Sequence, residues 1–299
     1  MKAGDVRATG PLLLLVLVTA IWGYTFVPVQ KAVAIYPVFA FLAVRFALST
    51  AVLAPFAWRP LQTLPCAGWL AGVGGGLLLG GAYGLQTAGL HLTTVSSTGL
   101  ITGLYVVFAP LLALGLFKTA VPAAAWGGMG LAVVGLVFLN GMPGGSFAGN
   151  ALVLGTAVAQ AFQIALMERY APRYDARALT CIQMAVSCVG FTAIALALGQ
   201  LRMPHGGTVW YAIGVTGVFA GALGYLVATW IQARTTAARA ALAFTLEAPF
   251  AALFGVILVG ERLGWTGWTG CVVILAGIVL AEPAAAGTLG RLVRRPEAT

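Results

Sequence analysis

The chain has 299 residues, of which 61% are hydrophobic and 8% charged, with a net charge of +9 and a mean hydropathy of +0.99. A soluble domain carries about 25% charged residues, and no globular core of this length hides so much apolar surface from water. An ordinary water-soluble enzyme, a disordered chain and a nucleic-acid module are thereby excluded, which leaves a polytopic protein embedded in a lipid bilayer.

A bilayer core of about 30 Å takes about 20 apolar residues per helix. Stretches of that kind run over 11–29, 38–58, 68–90, 95–117, 123–140, 149–167, 178–199, 208–231, 240–259 and 265–282. They predict an all-α membrane protein of ten transmembrane helices. Period-two alternation is absent, which argues against a β-barrel. The first stretch resembles a signal peptide, with Lys2 and Arg7 before it and Ala32-Val33-Ala34 after it. Lys31 crowds that cleavage position, so the segment reads as a retained first helix. With the N-terminus in the cytoplasm, twelve basic residues fall on inner segments, among them Arg59, Lys118, Arg173 and Arg177. Three (Lys31, Arg202 and Arg262) fall outside, and Arg45 lies within a span. This bias follows the positive-inside rule. It predicts both termini on the cytoplasmic side of a bacterial-type inner membrane, and it accounts for the positive charge without nucleic acid.

The chain also repeats itself. Shifting residues 83–137 by 142 positions superposes Tyr83 on Tyr225, Thr87 on Thr229, Leu104 on Leu246 and Phe108 on Phe250. Trp126, Gly128 and Gly135 meet Trp268, Gly270 and Gly277. A second register, needing gaps, pairs Pro110 with Pro249. The reading is two five-helix repeats, 1–145 and 146–285, with a basic cytoplasmic tail at 286–299. Five is odd, so the halves enter the membrane in opposite senses around a central cavity, an arrangement typical of secondary transporters.

Several short stretches resemble one family. Trp22-Gly23-Tyr24-Thr25-Phe26 is similar to the WG-x-x-F signature of EamA-type proteins in the drug/metabolite transporter superfamily. Phe41-Leu42-Ala43-Val44-Arg45-Phe46 resembles its second-helix "RF" pattern. Leu246-Glu247-Ala248-Pro249-Phe250 followed by Gly260-Glu261-Arg262-Leu263 resembles its "lePv…GErl" stretch. The first half departs from that element, with Lys118-Thr119-Ala120-Val121. The resemblance covers nearly the whole chain. It implies export of small metabolites or xenobiotics, of amino acids in some members, the aromatic amino acid exporter type among them. It also implies a cavity lined mainly by spans 1, 3, 4, 6, 8 and 9.

Candidate site residues follow from helical spacing, which puts positions three, four and seven apart on one face. Trp22 and Phe26 share a face, as do Tyr83 and Gln86. Thr98, Thr102 and Tyr105 form another set, Gln160, Gln163 and Met167 a third, and Tyr225, Thr229 and Gln232 a fourth. Polar groups facing lipid are costly, so these faces point inward. A pocket of Trp and Tyr with a few amides holds a small amphipathic solute by stacking and sparse hydrogen bonds; the alternative role is glue between helices. Two charges lie within spans, at a cost of roughly 3 kcal/mol each. Arg45 reads as a structural intramembrane charge. Glu247 reads as the group that binds a substrate ammonium or takes up a proton, with a polar anchor as its alternative. Pro28, Pro110 and Pro249 each remove a backbone hydrogen bond and are candidate hinges or fixed bends. Gly72, Gly76, Gly80 and Gly84 form a small-residue stripe, for static packing or for sliding.

The four cysteines, Cys66, Cys181, Cys188 and Cys271, lack metal or disulfide spacing, and two histidines, His91 and His205, are too few for a His-based metal site. His91 near Ser96 and Ser97 has no acidic partner nearby in sequence, and no hydrolase or nucleotide-binding motif is present. No cofactor, metal or catalysis is expected. The sequence reads as an exporter of small molecules, with neutral or aromatic amino acids and amphipathic cations or xenobiotics preferred, working by alternating access without ATP. The alternatives are a nucleotide-sugar or other metabolite exchanger, which needs more cavity-facing cations than Arg45, and a non-transporting scaffold or receptor. Monomer and dimer are both open.

Overall fold

A computed structural model describes residues 5–90, 92–93, 95–140, 146–260 and 262–281. His91, Thr94, Glu261, the tail at 286–299 and the side chains of Ser96 and Ser97 lie outside what is described. Among the described residues every regular element is helical. Eight helices are long and apolar enough to cross a membrane, and two shorter apolar helices, Ala123–Leu139 and Trp265–Ala281, accompany them. These segments overlap the predicted stretches, and eight of them have the length of a full span.

The elements are α1 (Asp5–Val33), α2 (Val38–Gln62), α3 (Cys66–Leu90), α4 (Val95–Gly103), α5 (Tyr105–Phe117), α6 (Ala123–Asn140), α7 (Phe147–Tyr170) and α8 (Ala176–Ala197). They continue with α9 (Gly207–Gly214), a π-helical segment Val215–Gly224, α10 (Tyr225–Gln232), α11 (Ala237–Phe244), α12 (Glu247–Phe254), a second π segment Gly255–Val259, and α13 (Trp265–Ala281). Side chains cap several starts. Ser146 Oγ accepts from the Gly149 N–H of α7 at 3.0 Å. The Asp175 carboxylate accepts from the Arg177 N–H of α8 at 2.8 Å. Each satisfies an otherwise unpaired donor of the first turn.

Two predicted spans are interrupted. The fourth breaks at Leu104, between α4 and α5, and the ninth at Thr245–Leu246, between α11 and α12. Pro249 has no N–H to offer the Thr245 carbonyl, so the helix cannot run unbroken through that point. It sits instead in the first turn of α12, where a missing N–H costs nothing. Pro110 lies inside α5 and Pro28 inside α1. Leu104 and Leu246 are 142 positions apart, the register read from the sequence. The same spacing relates Lys118 and Gly260, which end their segments in the left-handed conformation at φ 57° and 75°.

Glycines set the closest helix approaches. A Cβ on Gly128 of α6 would stand 2.5 Å from the Gly277 carbonyl oxygen of α13, and one on Gly277 would stand 2.6 Å from that of Gly128. Gly135 and Gly270 face each other in the same way, at 2.7 and 2.6 Å. α6 and α13 therefore run antiparallel with their backbones in contact, as small residues permit in a membrane. The stripe on α3 packs on α8, where Cβ atoms on Gly72 and Gly76 would strike Ile182 and Val186. Ser187 of α8 donates to the Gly76 carbonyl at 3.1 Å. Ser49 of α2 donates to the Gly217 carbonyl, in the first π segment, at 2.7 Å. Each serine stitches its helix to a glycine-bearing neighbour in the other half of the chain.

Candidate functional site

The helices converge on a buried cluster of aromatic and charged side chains. Trp22 of α1 packs on Tyr225 of α10 and Phe244 of α11, with ring centroids 5.1 and 5.4 Å away. Its indole Nε1 donates to the Ala220 carbonyl at 3.1 Å. Ala220 lies in the π segment, where the wider turn disturbs the regular ladder and leaves a carbonyl available. Gly23 lets α1 lie against α12, since a Cβ there would be 2.7 Å from the Ala251 nitrogen.

Arg45 of α2 is only 5% exposed. Its Nη2 donates to the Tyr83 hydroxyl at 3.2 Å. The guanidinium carbon lies 4.7 Å from the Tyr83 ring centroid and 5.3 Å from that of Phe46. Phe46 in turn stacks on Phe191 of α8 at 5.6 Å. The Tyr225 hydroxyl meets the Tyr83 hydroxyl at 3.3 Å. The Arg45 Nε is buried and has no partner. Glu247, the first residue of α12, is half-buried. It lies within electrostatic reach of Arg45, Tyr105 and Tyr225 without forming an ion pair with Arg45. Among the described residues the ion pair in contact is Arg177–Asp175, at 2.7 Å. Opposite charges thus stand apart inside an aromatic setting.

The other predicted residues divide. Tyr105, the first residue of α5, is buried. Gln86 is half-buried and donates to Thr102 Oγ1 at 3.3 Å, joining α3 to α4. Gln160 is half-buried. Gln163 is buried and spends its amide on Gln183 of α8, donating from Nε2 to Oε1 at 2.8 Å. Thr229 accepts from Thr180 of α8 at 3.1 Å. These two act as interhelical glue. Phe26, one turn on from buried Trp22, is 42% exposed. Phe46, Phe191 and Phe244 belong to the cluster but have no polar signature, so apolar periodicity alone hid them.

Two concavities lie toward helix ends. One is lined by Tyr24, Val27, Pro28 and Lys31 of α1 with Tyr211 of α9 and Leu258; the Tyr24 and Tyr211 hydroxyls hydrogen-bond across it. The other gathers Arg59, Arg173 and Arg177 with Tyr174 and Asp175. There the Arg177 side chain holds the Asp175 carboxyl below its ordinary range.

Comparison with known proteins fits this architecture. The EamA-like transporter family matches the chain twice, over residues 9–141 and 147–281. An uncharacterized transporter of Archaeoglobus fulgidus is 29% identical over 270 residues, covering 90% of this chain and 84% of its own. A solved crystal structure superposes with a TM-score of 0.78 at 17% identity, covering 93% of this chain and 98% of that one, a likeness of fold. With two family matches over a set of apolar helices, the chain is a multi-pass membrane protein and belongs to the EamA-like transporter family.

Proposed function

We propose that the protein exports small metabolites across a bacterial-type inner membrane, with both termini cytoplasmic, and that amino acids are its preferred class. The observation that carries this reading is the unpaired arrangement of Arg45 and Glu247 around Tyr83, Tyr225 and Trp22. A neutral amino acid carries a carboxylate and an ammonium a few ångströms apart. The free Nε of Arg45 suits the first and Glu247 the second, while Trp22 and Tyr225 offer stacking surface for an apolar or aromatic side chain. Amphipathic cations would use Glu247 and the aromatic faces alone.

Alternating access needs two related bodies that exchange contacts around a midplane site. Three features support two inverted halves, 1–145 and 146–285. The family matches each half once. The helix breaks at Leu104 and Leu246 share one register. The contacts Gly128–Gly277 and Gly135–Gly270 are reciprocal, as across a two-fold axis. Pro28, Pro110 and Pro249 are then candidate hinges in three cavity-lining helices, and movement at the breaks at Leu104 and Thr245–Leu246 would open one end and close the other. Counterflow in proteoliposomes tests the reading. Vesicles loaded with unlabelled amino acid should accumulate the labelled form faster than empty ones, at two imposed pH gradients. Vesicles that accumulate no amino acid or lipophilic cation under any loading would contradict it.

A further inference from the structure

The concavity of about 440 Å³ where α2 ends and α7 passes into α8 has no part in the central cluster. It is lined by Arg59, Thr63, Arg173, Tyr174, Asp175 and Arg177, among others. Asp175 is committed to Arg177 by a two-point contact, with Nε at 3.0 Å and Nη2 at 2.7 Å. No acidic side chain among the described residues pairs with Arg59 or Arg173. Arg173 lies 5.9 Å from the Tyr170 ring centroid and is otherwise turned to solvent. The site therefore presents two uncompensated guanidinium groups in a hollow at a helix end.

Its surroundings are apolar. Phe56 and Trp58, within one turn of Arg59, are 63% and 64% exposed, and Trp69 and Leu70 at the start of α3 are exposed as well. Tryptophans at a span end mark the headgroup level of a bilayer. A soluble protein would not leave such a surface to water beside a cationic hollow, whereas lipid chains cover it naturally. A basic pocket between helix ends at headgroup level is suited to an anionic lipid headgroup.

We propose that this hollow is a binding site for an anionic glycerophospholipid. The phosphodiester sits between Arg59 and Arg173, each offering a fork of N–H donors to the phosphate oxygens. The acyl chains run along the exposed apolar surface of α2 and α3. Occupancy ties the end of α2 to the α7–α8 connection, and so links one half of the chain to the other. This inference rests on the membrane location alone and is independent of what is transported.

Thermal unfolding of the full chain in neutral detergent provides the test, with added phosphatidylglycerol, phosphatidylcholine or inorganic phosphate. Phosphatidylglycerol should raise the midpoint by about 2–4 °C more than phosphatidylcholine. The increment should vanish in an Arg59→Gln/Arg173→Gln variant and persist in Arg262→Gln, a charge loss outside the hollow. Native mass spectrometry should retain phosphatidylglycerol on the wild type and on Arg262→Gln but not on the double variant. The proposal is overturned if the two lipids act alike, if the double variant keeps both the increment and the bound lipid, or if inorganic phosphate alone reproduces the shift.

Discussion

The hydroxyls of Tyr83 and Tyr225 meet at 3.3 Å, although the residues are 142 positions apart in the chain. That separation equals the sequence register that superposes Tyr83 on Tyr225, so two residues matched by the internal repeat touch each other. Arg45 donates to the same Tyr83 oxygen.

The two tyrosines are therefore unequal in consequence. Tyr83→Phe deprives both Arg45 and Tyr225 of a partner, whereas Tyr225→Phe removes one neutral contact. Loss of a hydrogen bond to a charged group costs about 1.5–3 kcal/mol, against about 1 for a neutral one. Tyr83→Phe should lower the unfolding midpoint and slow exchange more than Tyr225→Phe. Thermal unfolding and counterflow on both variants measure the order, and equal effects would contradict it.

Backbone contact between α6 and α13 leaves no room at Gly277. Gly277→Val should destabilise by about 1–3 kcal/mol through overpacking. Gly130, on the same α6 but with nothing within 4 Å of a Cβ, is the control. Gly130→Ala should be neutral or stabilising by up to about 1 kcal/mol through helix propensity. Chemical unfolding in mixed micelles separates the two.

Lys118 holds a left-handed conformation at φ 57°, where the second half has Gly260 at φ 75°. A side chain costs about 1–2 kcal/mol there. Lys118→Gly should therefore stabilise the protein and Gly260→Ala destabilise it, both read from the unfolding midpoint.

Asp175 caps α8 and contacts Arg177, and Arg177 keeps its carboxyl below the ordinary value of 3.8. A depressed carboxylate stabilises the fold fully above its unfolded value and loses that contribution as pH falls through the lower folded value. The pair is partly exposed, so the effect is modest. Wild type should gain stability over Asp175→Asn on going from about pH 3 to pH 6, while the variant profile stays flatter in that window.

Much of this was legible in the sequence, and the limits are physical. The all-helical build, the apolar stretches and the glycine stripe on α3 depend on composition and periodicity, which report burial and contact along a helix. Arg45 reads from sequence as a structural charge, and its contacts with the Tyr83 hydroxyl and ring are ones that spacing does not announce. Gln163 and Thr229 share faces with cavity candidates but bond to Gln183 and Thr180 of α8. Spacing tells which residues share a face; only packing tells which neighbour that face meets. The break at Leu104 was hidden because no proline lies at that turn, whereas Pro249 announces its counterpart.

Counterflow of a labelled neutral amino acid on the wild type, Arg45→Gln and Glu247→Gln tests the central claim most directly. The account predicts exchange by the wild type and a loss of at least about tenfold in each variant, since breaking either charged contact is worth more than about 1.4 kcal/mol. The variants should still unfold cooperatively. Wild-type rates in both variants, with normal folding, would contradict a site built on these two charges.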